Sequence, residues 1–154
     1  MWQRKQTIFL AVSGACMILM IFFPAWVAEQ GGLRYELYPL HYSITQDGVK
    51  ATVYYPYALS AILAVAAATI AFLEIGKFEN RMVQIKMGAL NSLVMAGSLG
   101  SLVYFATRLI ETNQLAGQYG LSLWLPAGAM VSNMIANRFI RRDEKLVRDS
   151  DRIR

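Results

Sequence analysis

No charged side chain occurs between Lys5 and Glu29, and the residues between them are mainly apolar. A helix that crosses a membrane needs about 20 such residues in succession. Comparable stretches occur three more times along the chain, so the sequence predicts four membrane-spanning helices. We place these four spans at residues 7–27, 56–75, 87–107 and 117–137.

Composition agrees with this interpretation and limits the number of domains. The chain has 154 residues, of which 56% are hydrophobic and only 16% are charged, which is too apolar for an ordinary soluble fold. Its length suits a single domain. We therefore expect a transmembrane domain over residues 1–140, followed by a charged tail over residues 141–154.

The distribution of basic residues predicts the orientation of the spans. Only three of the fifteen Lys and Arg residues, Arg34, Lys50 and Arg108, lie in the first and third connections or at their edges. The other twelve precede the first span, lie between the second and third, or follow the fourth. Because cytoplasmic segments are rich in Lys and Arg, we expect both termini to be cytoplasmic.

The connection over residues 28–55 has the pattern of β-structure. Leu33, Tyr35 and Leu37 alternate with more polar residues, and Asp47-Gly48 is a strong signal for a tight hairpin turn. We therefore expect an all-α membrane protein: a four-transmembrane-helix bundle, a small extracytoplasmic β-hairpin between helices 1 and 2, and a cytoplasmic helical C-terminal tail.

Small and amide-bearing residues mark candidate packing faces on the third and fourth spans. Small residues let helices approach closely in a membrane, and buried amides can hydrogen-bond between helices. Packing within one chain is the simpler interpretation, but packing between chains stays open. The candidates are Gly88, Asn91, Ser92, Ala96 and Gly100 on the third span, and Gly128, Ser132, Asn133, Ala136 and Asn137 on the fourth.

Two charged residues at span ends are candidates for a function within the membrane. Glu74 ends the second span, where we expect a carboxylate that reaches the inner interface and pairs with Lys77 or Arg81. Arg108, at the outer end of the third span, stands one helical turn from Glu111 and can form an interfacial ion pair.

The tail is predicted to be helical, because opposite charges recur at spacings of three and four residues. Leu146 and Ile153 belong to an apolar stripe along it, suited to a protein partner. Its basic residues suit anionic lipid instead, and both partners stay open. These basic residues are Arg141, Arg142, Lys145 and Arg148.

The sequence offers little for catalysis. A single cysteine, Cys16, and a single histidine, His41, cannot supply the usual sets of nucleophile, base or metal ligand. We expect no enzyme activity and no cofactor, and no nucleic acid as a partner.

The two ends of the chain carry recognisable motifs. They are Met1-Trp2-Gln3-Arg4-Lys5-Gln6-Thr7 at the start, and Arg142-Asp143-Glu144-Lys145-Leu146-Val147-Arg148 with Asp151-Arg152-Ile153-Arg154 at the end. The chain resembles the DUF4293 family of Bacteroidota, which are four-helix inner-membrane proteins of unknown function. Asp149-Ser150 departs from the family pattern. The resemblance implies a location in the bacterial inner membrane and supplies no catalytic residues.

The expected function therefore rests on the predicted spans and the charged tail, since no reactive set of residues is present in the sequence. We expect a non-enzymatic accessory or scaffold subunit of a larger membrane complex, whose basic tail docks a cytoplasmic partner or anionic lipid. The alternative is a small oligomeric transporter or channel that uses Glu74 and the asparagines.

Overall fold

The computed structural model describes residues 5–77 and 80–151, with side chains for residues 5–77 and 80–147. The described residues form four long helices. These are α1 (Lys5–Leu19), which a short 3₁₀ segment (Met20–Phe22) extends, α2 (Ala58–Gly76), α3 (Arg81–Asn113) and α4 (Leu121–Asp151). Five strands complete the fold: β1 (Trp26–Gln30), β2 (Leu33–Leu37), β3 (Tyr42–Gln46), β4 (Val49–Val53) and β5 (Gln118–Tyr119).

The fold is thus not the all-α bundle with one hairpin that we expected. A five-stranded antiparallel sheet of order β4-β3-β2-β1-β5 lies between α1 and α2 in sequence and takes β5 from the segment before α4. Residues 26 and 27, assigned above to the first span, begin β1 instead. The chain leaves helix just before Pro24, which has no backbone N–H to continue it.

Two tight turns fix the register of the sheet. Gly31 and Gly32 join β1 to β2, and Asp47 and Gly48 join β3 to β4; all four have positive φ. Two-residue loops of this kind match the twist of antiparallel strands. The Asp47-Gly48 turn is therefore present, but as one turn of a larger sheet.

The sheet covers one end of the helix bundle. Trp26, Leu37 and Tyr42 turn their side chains into the core. The Tyr42 ring contacts the Tyr57 ring at a centroid distance of 5.5 Å, and Tyr57 contacts Phe105 of α3 at 5.3 Å. Aromatic pairs of this geometry join the sheet to the start of α2 and the end of α3.

Consecutive helices run antiparallel, and serine hydroxyls tie α1 to α4. Ser122 Oγ donates to the Met20 carbonyl at 2.8 Å, near the sheet. Towards the other end, Ser132 Oγ donates to the Phe9 carbonyl at 2.8 Å. The start of α1 and the C-terminal half of α4 therefore lie at the end of the bundle opposite the sheet.

Three segments of the described chain are long and apolar enough to cross a membrane, where we expected four. They are residues Lys5–Phe22, Ala58–Gly76 and Arg81–Asn113. The helix α4 packs beside α1 and α3 but falls short in hydropathy, because Asn133 and Asn137 interrupt its apolar part and its C-terminal part is strongly charged.

Candidate functional site

Six strongly polar side chains are directed into the bundle at the end opposite the sheet. Every helix contributes at least one, and five of the six are no more than 4% exposed, whereas Asn137 is half-buried. We call this set the polar layer. It consists of Gln6 of α1, Glu74 of α2, Gln84 and Asn91 of α3, and Asn133 and Asn137 of α4.

Hydrogen bonds show that the polar residues of α2, α3 and α4 lie at similar heights along the axis of the bundle. Gln84 Nε2 donates to the Glu74 carbonyl at 2.9 Å, and Asn133 Nδ2 donates to the Gly88 carbonyl at 2.8 Å. Gly88 follows Gln84 by one helical turn, about 6 Å along the axis. Glu74 and Asn133 therefore approach α3 within about one turn of each other.

Gln6 of α1 belongs to the same level. Phe9 lies opposite Ser132 in the antiparallel α1–α4 pair, which sets residue 6 opposite residues 135–136. This position falls between Asn133 and Asn137. Gln6 is 4% exposed, and its Oε1 has no hydrogen-bond partner.

Glu74 differs from the ion-paired interfacial carboxylate that we expected. Its exposure is 0%, both carboxylate oxygens lack a hydrogen-bond partner, and no salt bridge to Lys77 or Arg81 occurs among the described residues. The reason is its position on the helix. With Ala67 and Ala71 it forms a row at spacings of four and three residues, and this row faces the bundle.

Arg81, the other expected partner of Glu74, makes a different contact. Its guanidinium donates to the Asp143 carbonyl of α4 at 2.6 Å. This bond holds the start of α3 against the charged part of α4.

At Gly88, α3 and α4 pack closely against each other. A Cβ at residue 88 would overlap the side-chain amide of Asn137. Ser92 Oγ also donates to the Gly88 carbonyl, at 3.0 Å, and lies 2.9 Å from Asn133 Nδ2. Of the predicted packing residues, the structure brings Gly88, Ser92, Asn133 and Asn137 together here.

The remaining predicted packing residues divide between the two sides of their helices. Asn91, Ser132 and Ala136 are buried, whereas Ala96, Gly100 and Gly128 lie on the outer surface of the chain. A row of every fourth residue turns about 40° per step around an α-helix, so such a row leaves the interface after two or three steps. The face of α3 that packs inward instead follows residues 84, 88, 91, 95, 98 and 102.

A groove opens beside the polar layer, between α3 and α4. Its volume is about 390 Å³. Arg138 and Arg141, one turn apart on α4, line it together with the hydroxyl of Ser92 and the amide of Asn137, and its apolar lining is Ala89 and Met134. The groove therefore combines two cations, two neutral polar groups and an apolar wall.

The other candidates from the tail are mostly at the surface. Arg142 and Lys145 are exposed, and Leu146 is 60% exposed. The side chain of Arg148 and the whole of Ile153 lie outside the described residues, so the stripe that we predicted through Leu146 and Ile153 is described only at Leu146.

Arg108 sits at the opposite end of the bundle, near the sheet. Its Nη1 lies 4.0 Å from Glu111 Oε2, with both side chains 64% exposed, and its guanidinium stacks on the Tyr104 ring at 5.4 Å. Exposed ion pairs of this kind contribute little to stability.

The sheet holds a small aromatic cluster around His41. The imidazole stacks on Tyr38 at 5.0 Å and contacts Tyr54 at 5.7 Å. Burial, assisted by the positive charge of Lys50, lowers the pKa of His41. Burial also raises the pKa of Tyr42 to about 12, and both side chains are therefore neutral at pH 7.

Sequence reasoning missed two members of the polar layer, Gln6 and Gln84. Gln84, Gly88, Asn91 and Met95 recur at spacings of four and three residues, which is the signal that could have placed Gln84 on the inner face. Gln6 lies so close to the charged start of the chain that no pattern separates it from a solvated residue.

Comparison with known proteins supplies a family but no activity. No curated protein matches the chain. A family model described as a domain of unknown function, DUF4293, matches residues 2–153, which is essentially the whole chain. The chain therefore belongs to the DUF4293 family.

Proposed function

We propose that this protein is a non-enzymatic accessory subunit of the bacterial inner membrane, and that its basic end binds an anionic phospholipid. The observation that carries the proposal is the groove that Arg138 and Arg141 line together with Ser92 and Asn137. Guanidinium groups bind phosphate oxygens with two hydrogen bonds at once. An apolar wall formed by Ala89 and Met134 suits the upper part of an acyl chain.

The proposal places the end of the bundle opposite the sheet in the cytoplasm. Support comes from the antiparallel packing, which gathers the start of α1, the α2–α3 connection and the charged part of α4 at that end. Among the described residues, Lys5, Lys77 and four basic residues between 138 and 145 lie in these segments, and Arg81 and Lys86 lie in the first two turns of α3 beside them. Basic grooves on the cytoplasmic side of membrane helices are typical sites for anionic headgroups.

The lipid proposal is tested by the thermal stability of the full-length protein in neutral micelles, with and without added phosphatidylglycerol. Phosphatidylglycerol should raise the melting temperature of the original protein. Replacing both arginines (Arg138→Gln with Arg141→Gln) should reduce this rise, because each basic residue near a membrane surface contributes about 1 kcal/mol of attraction. The matched control replaces Lys77 and Lys86, two exposed basic residues that do not line the groove.

The outcomes separate a site from a general charge effect. If only the arginine double variant loses the rise in melting temperature with phosphatidylglycerol, the result supports lipid binding in the groove. Equal losses in the arginine and lysine variants would mean that phosphatidylglycerol acts on the overall charge, and the groove proposal would then be rejected.

The accessory-subunit part of the proposal includes a partner protein. Charged residues of α4 beyond the bundle, with the exposed Leu146 and Val147, extend from the proposed lipid site and offer a surface for docking. Native mass spectrometry from mild detergent tests this part. A larger complex of fixed stoichiometry supports it, whereas a homo-oligomer without other chains supports the alternative below.

The second candidate is a small oligomeric transporter or channel, which the burial of Glu74 and the asparagines favours. Within one chain, Met17, Met95 and Leu102 fill the bundle between the polar layer and the sheet, all at 0% exposure. A conduction path would therefore have to lie between copies. This makes the accessory subunit the better-supported proposal.

A further inference from the structure

The buried side-chain atoms of the polar layer that lack a hydrogen-bond partner are mostly oxygens. Eight of its buried side-chain atoms have no hydrogen-bond partner, and seven of these are oxygens. The single nitrogen is Asn91 Nδ2. The oxygens are Gln6 Oε1, Glu74 Oε1 and Oε2, Gln84 Oε1, Asn91 Oδ1, Asn133 Oδ1 and Asn137 Oδ1.

This excess does not come from the choice of amide orientation at Gln84 and Asn133. The nitrogen of each amide donates to a backbone carbonyl, that of Glu74 for Gln84 and that of Gly88 for Asn133. A carbonyl accepts hydrogen bonds and cannot donate, so exchanging oxygen and nitrogen would break both bonds. The free oxygens of these two amides are therefore fixed by their neighbours.

The side chains of Glu74 and Asn91 also lean towards each other. In an α-helix the Cα–Cβ bond tilts towards the N-terminus of the helix. Because α2 and α3 are antiparallel and Glu74 is level with Gln84, this tilt directs Glu74 towards the sheet and Asn91 away from it. Between their levels lies Ala71, whose side chain is small and buried, whereas the space beside Gly88 is occupied by the side-chain amide of Asn137.

We infer that the polar layer is a binding site for a small monovalent cation of the sodium type. Hard cations without d-electron preferences are bound by carboxylate and amide oxygens, which are the groups without partners here. The core of the site is Glu74 and Asn91, with Asn133 beside it, because the Asn133 amide bonds the Gly88 carbonyl one turn before Asn91. Its core shares no residue with the lipid groove, which the polar layer meets only at Asn137.

The charge of the site selects a monovalent ion. Glu74 is the only ionisable member of the layer, so one positive charge neutralises it. A divalent ion would leave a net charge buried in the bundle, which is costly. Within the described residues no three His, Cys, Asp or Glu side chains come together, so the usual transition-metal sites are also missing.

A proton on Glu74 is the simplest alternative to a bound cation, but it would satisfy fewer of the oxygens that lack a partner. Protonation of Glu74 would supply one donor and leave most of the amide oxygens without a partner. A cation ligated by Glu74 and Asn91 would satisfy oxygens from two helices at once. It would thereby hold α2 against α3 at this end of the bundle.

The test uses the purified full-length protein in mild detergent at constant pH and ionic strength, with NaCl replacing choline chloride. We expect the melting temperature to rise saturably with Na⁺, and radioactive ²²Na⁺ to bind saturably. Glu74→Gln keeps the shape of the side chain and removes its charge, and should abolish both effects. Glu111→Gln, at a carboxylate that is 64% exposed at the other end of α3, is the matched control and should preserve them.

A second variant guards against misfolding of the first. Asn91→Ala removes a neutral ligand and should weaken Na⁺ binding while leaving the carboxylate in place. Absence of a Na⁺ effect beyond that of choline, undiminished ²²Na⁺ binding by Glu74→Gln, or a stability that follows pH but not Na⁺ would each overturn the inference.

Discussion

Asn133 of α4 donates its side-chain amide to the backbone carbonyl of Gly88 on α3, at 2.8 Å. Both residues are buried, and the same nitrogen lies 2.9 Å from Ser92 Oγ. A side-chain bond to a backbone carbonyl fixes both the separation of two helices and their register. It is possible here because residue 88 has no side chain to hold α4 away.

Gly88→Ala should therefore destabilise the protein. The added Cβ would overlap the Asn137 amide, and overpacking of this kind costs about 1–3 kcal/mol. Gly100→Ala is the matched control on the same helix, because a Cβ there meets no atom within 4 Å. Thermal unfolding in detergent measures both. Equal melting temperatures for the two variants would contradict the packing described at Gly88.

Asn133→Leu should destabilise the bundle by about 1 kcal/mol, since hydrogen bonds between membrane helices are worth roughly 0.6 kcal/mol on average and up to about 1.7. Its neighbour Met134, which is 63% exposed, provides the control Met134→Leu. The measurement is again the unfolding midpoint. A variant at 133 as stable as the one at 134 would show that the bond to Gly88 adds nothing.

The burial of His41 should make the stability of the protein depend on pH. Its pKa is lowered in the folded state, so between that value and 6.5, its ordinary value, the unfolded chain binds a proton that the folded chain does not. This contribution is complete above pH 6.5 and is lost as the pH falls below it. His41→Gln should flatten the melting temperature between pH 7 and 5.5. If the variant keeps the slope of the original protein, the dependence comes from other groups.

Topology can be checked with single cysteines in a Cys16→Ala background. A membrane-impermeant thiol reagent applied from outside should label Asp47→Cys, in the turn between β3 and β4, and should not label Lys86→Cys or Lys145→Cys. The expectation follows from the positions of these residues at opposite ends of the bundle and from the excess of Lys and Arg near the last two. External labelling at 86 or 145 would reverse the proposed orientation.

Local signals in the sequence were enough for several parts of this fold. The uncharged apolar stretches indicated all four helices, but only for α2 do both ends agree to within two residues, and α3 extends six residues further at each end than the predicted span. The Asp47-Gly48 dipeptide marked the turn between β3 and β4, because the backbone there needs positive φ. The terminal motifs indicated the family, which the match over residues 2–153 confirms.

Other parts depend on pairing between distant segments. Gln118 and Tyr119 become a strand only because Val27 and Trp26 lie beside them, and two residues carry no strand signal of their own. The span predicted over 117–137 began too early for this reason. The first span ended too late, because the apolar residues that follow Pro24 suit a buried strand as well as a helix.

The polar layer shows most clearly which features follow from the sequence and which depend on tertiary structure. Sequence alone indicated that this chain forms apolar helices and that its basic residues are concentrated in three of its segments, because hydropathy and charge are properties of each segment by itself. It indicated only in part which face of each helix turns inward, since lipid and protein interior are both apolar and a membrane helix has little contrast between its faces. Only the packing of four helices buried Glu74 rather than leaving it at the interface, and set it among amide oxygens of its neighbours.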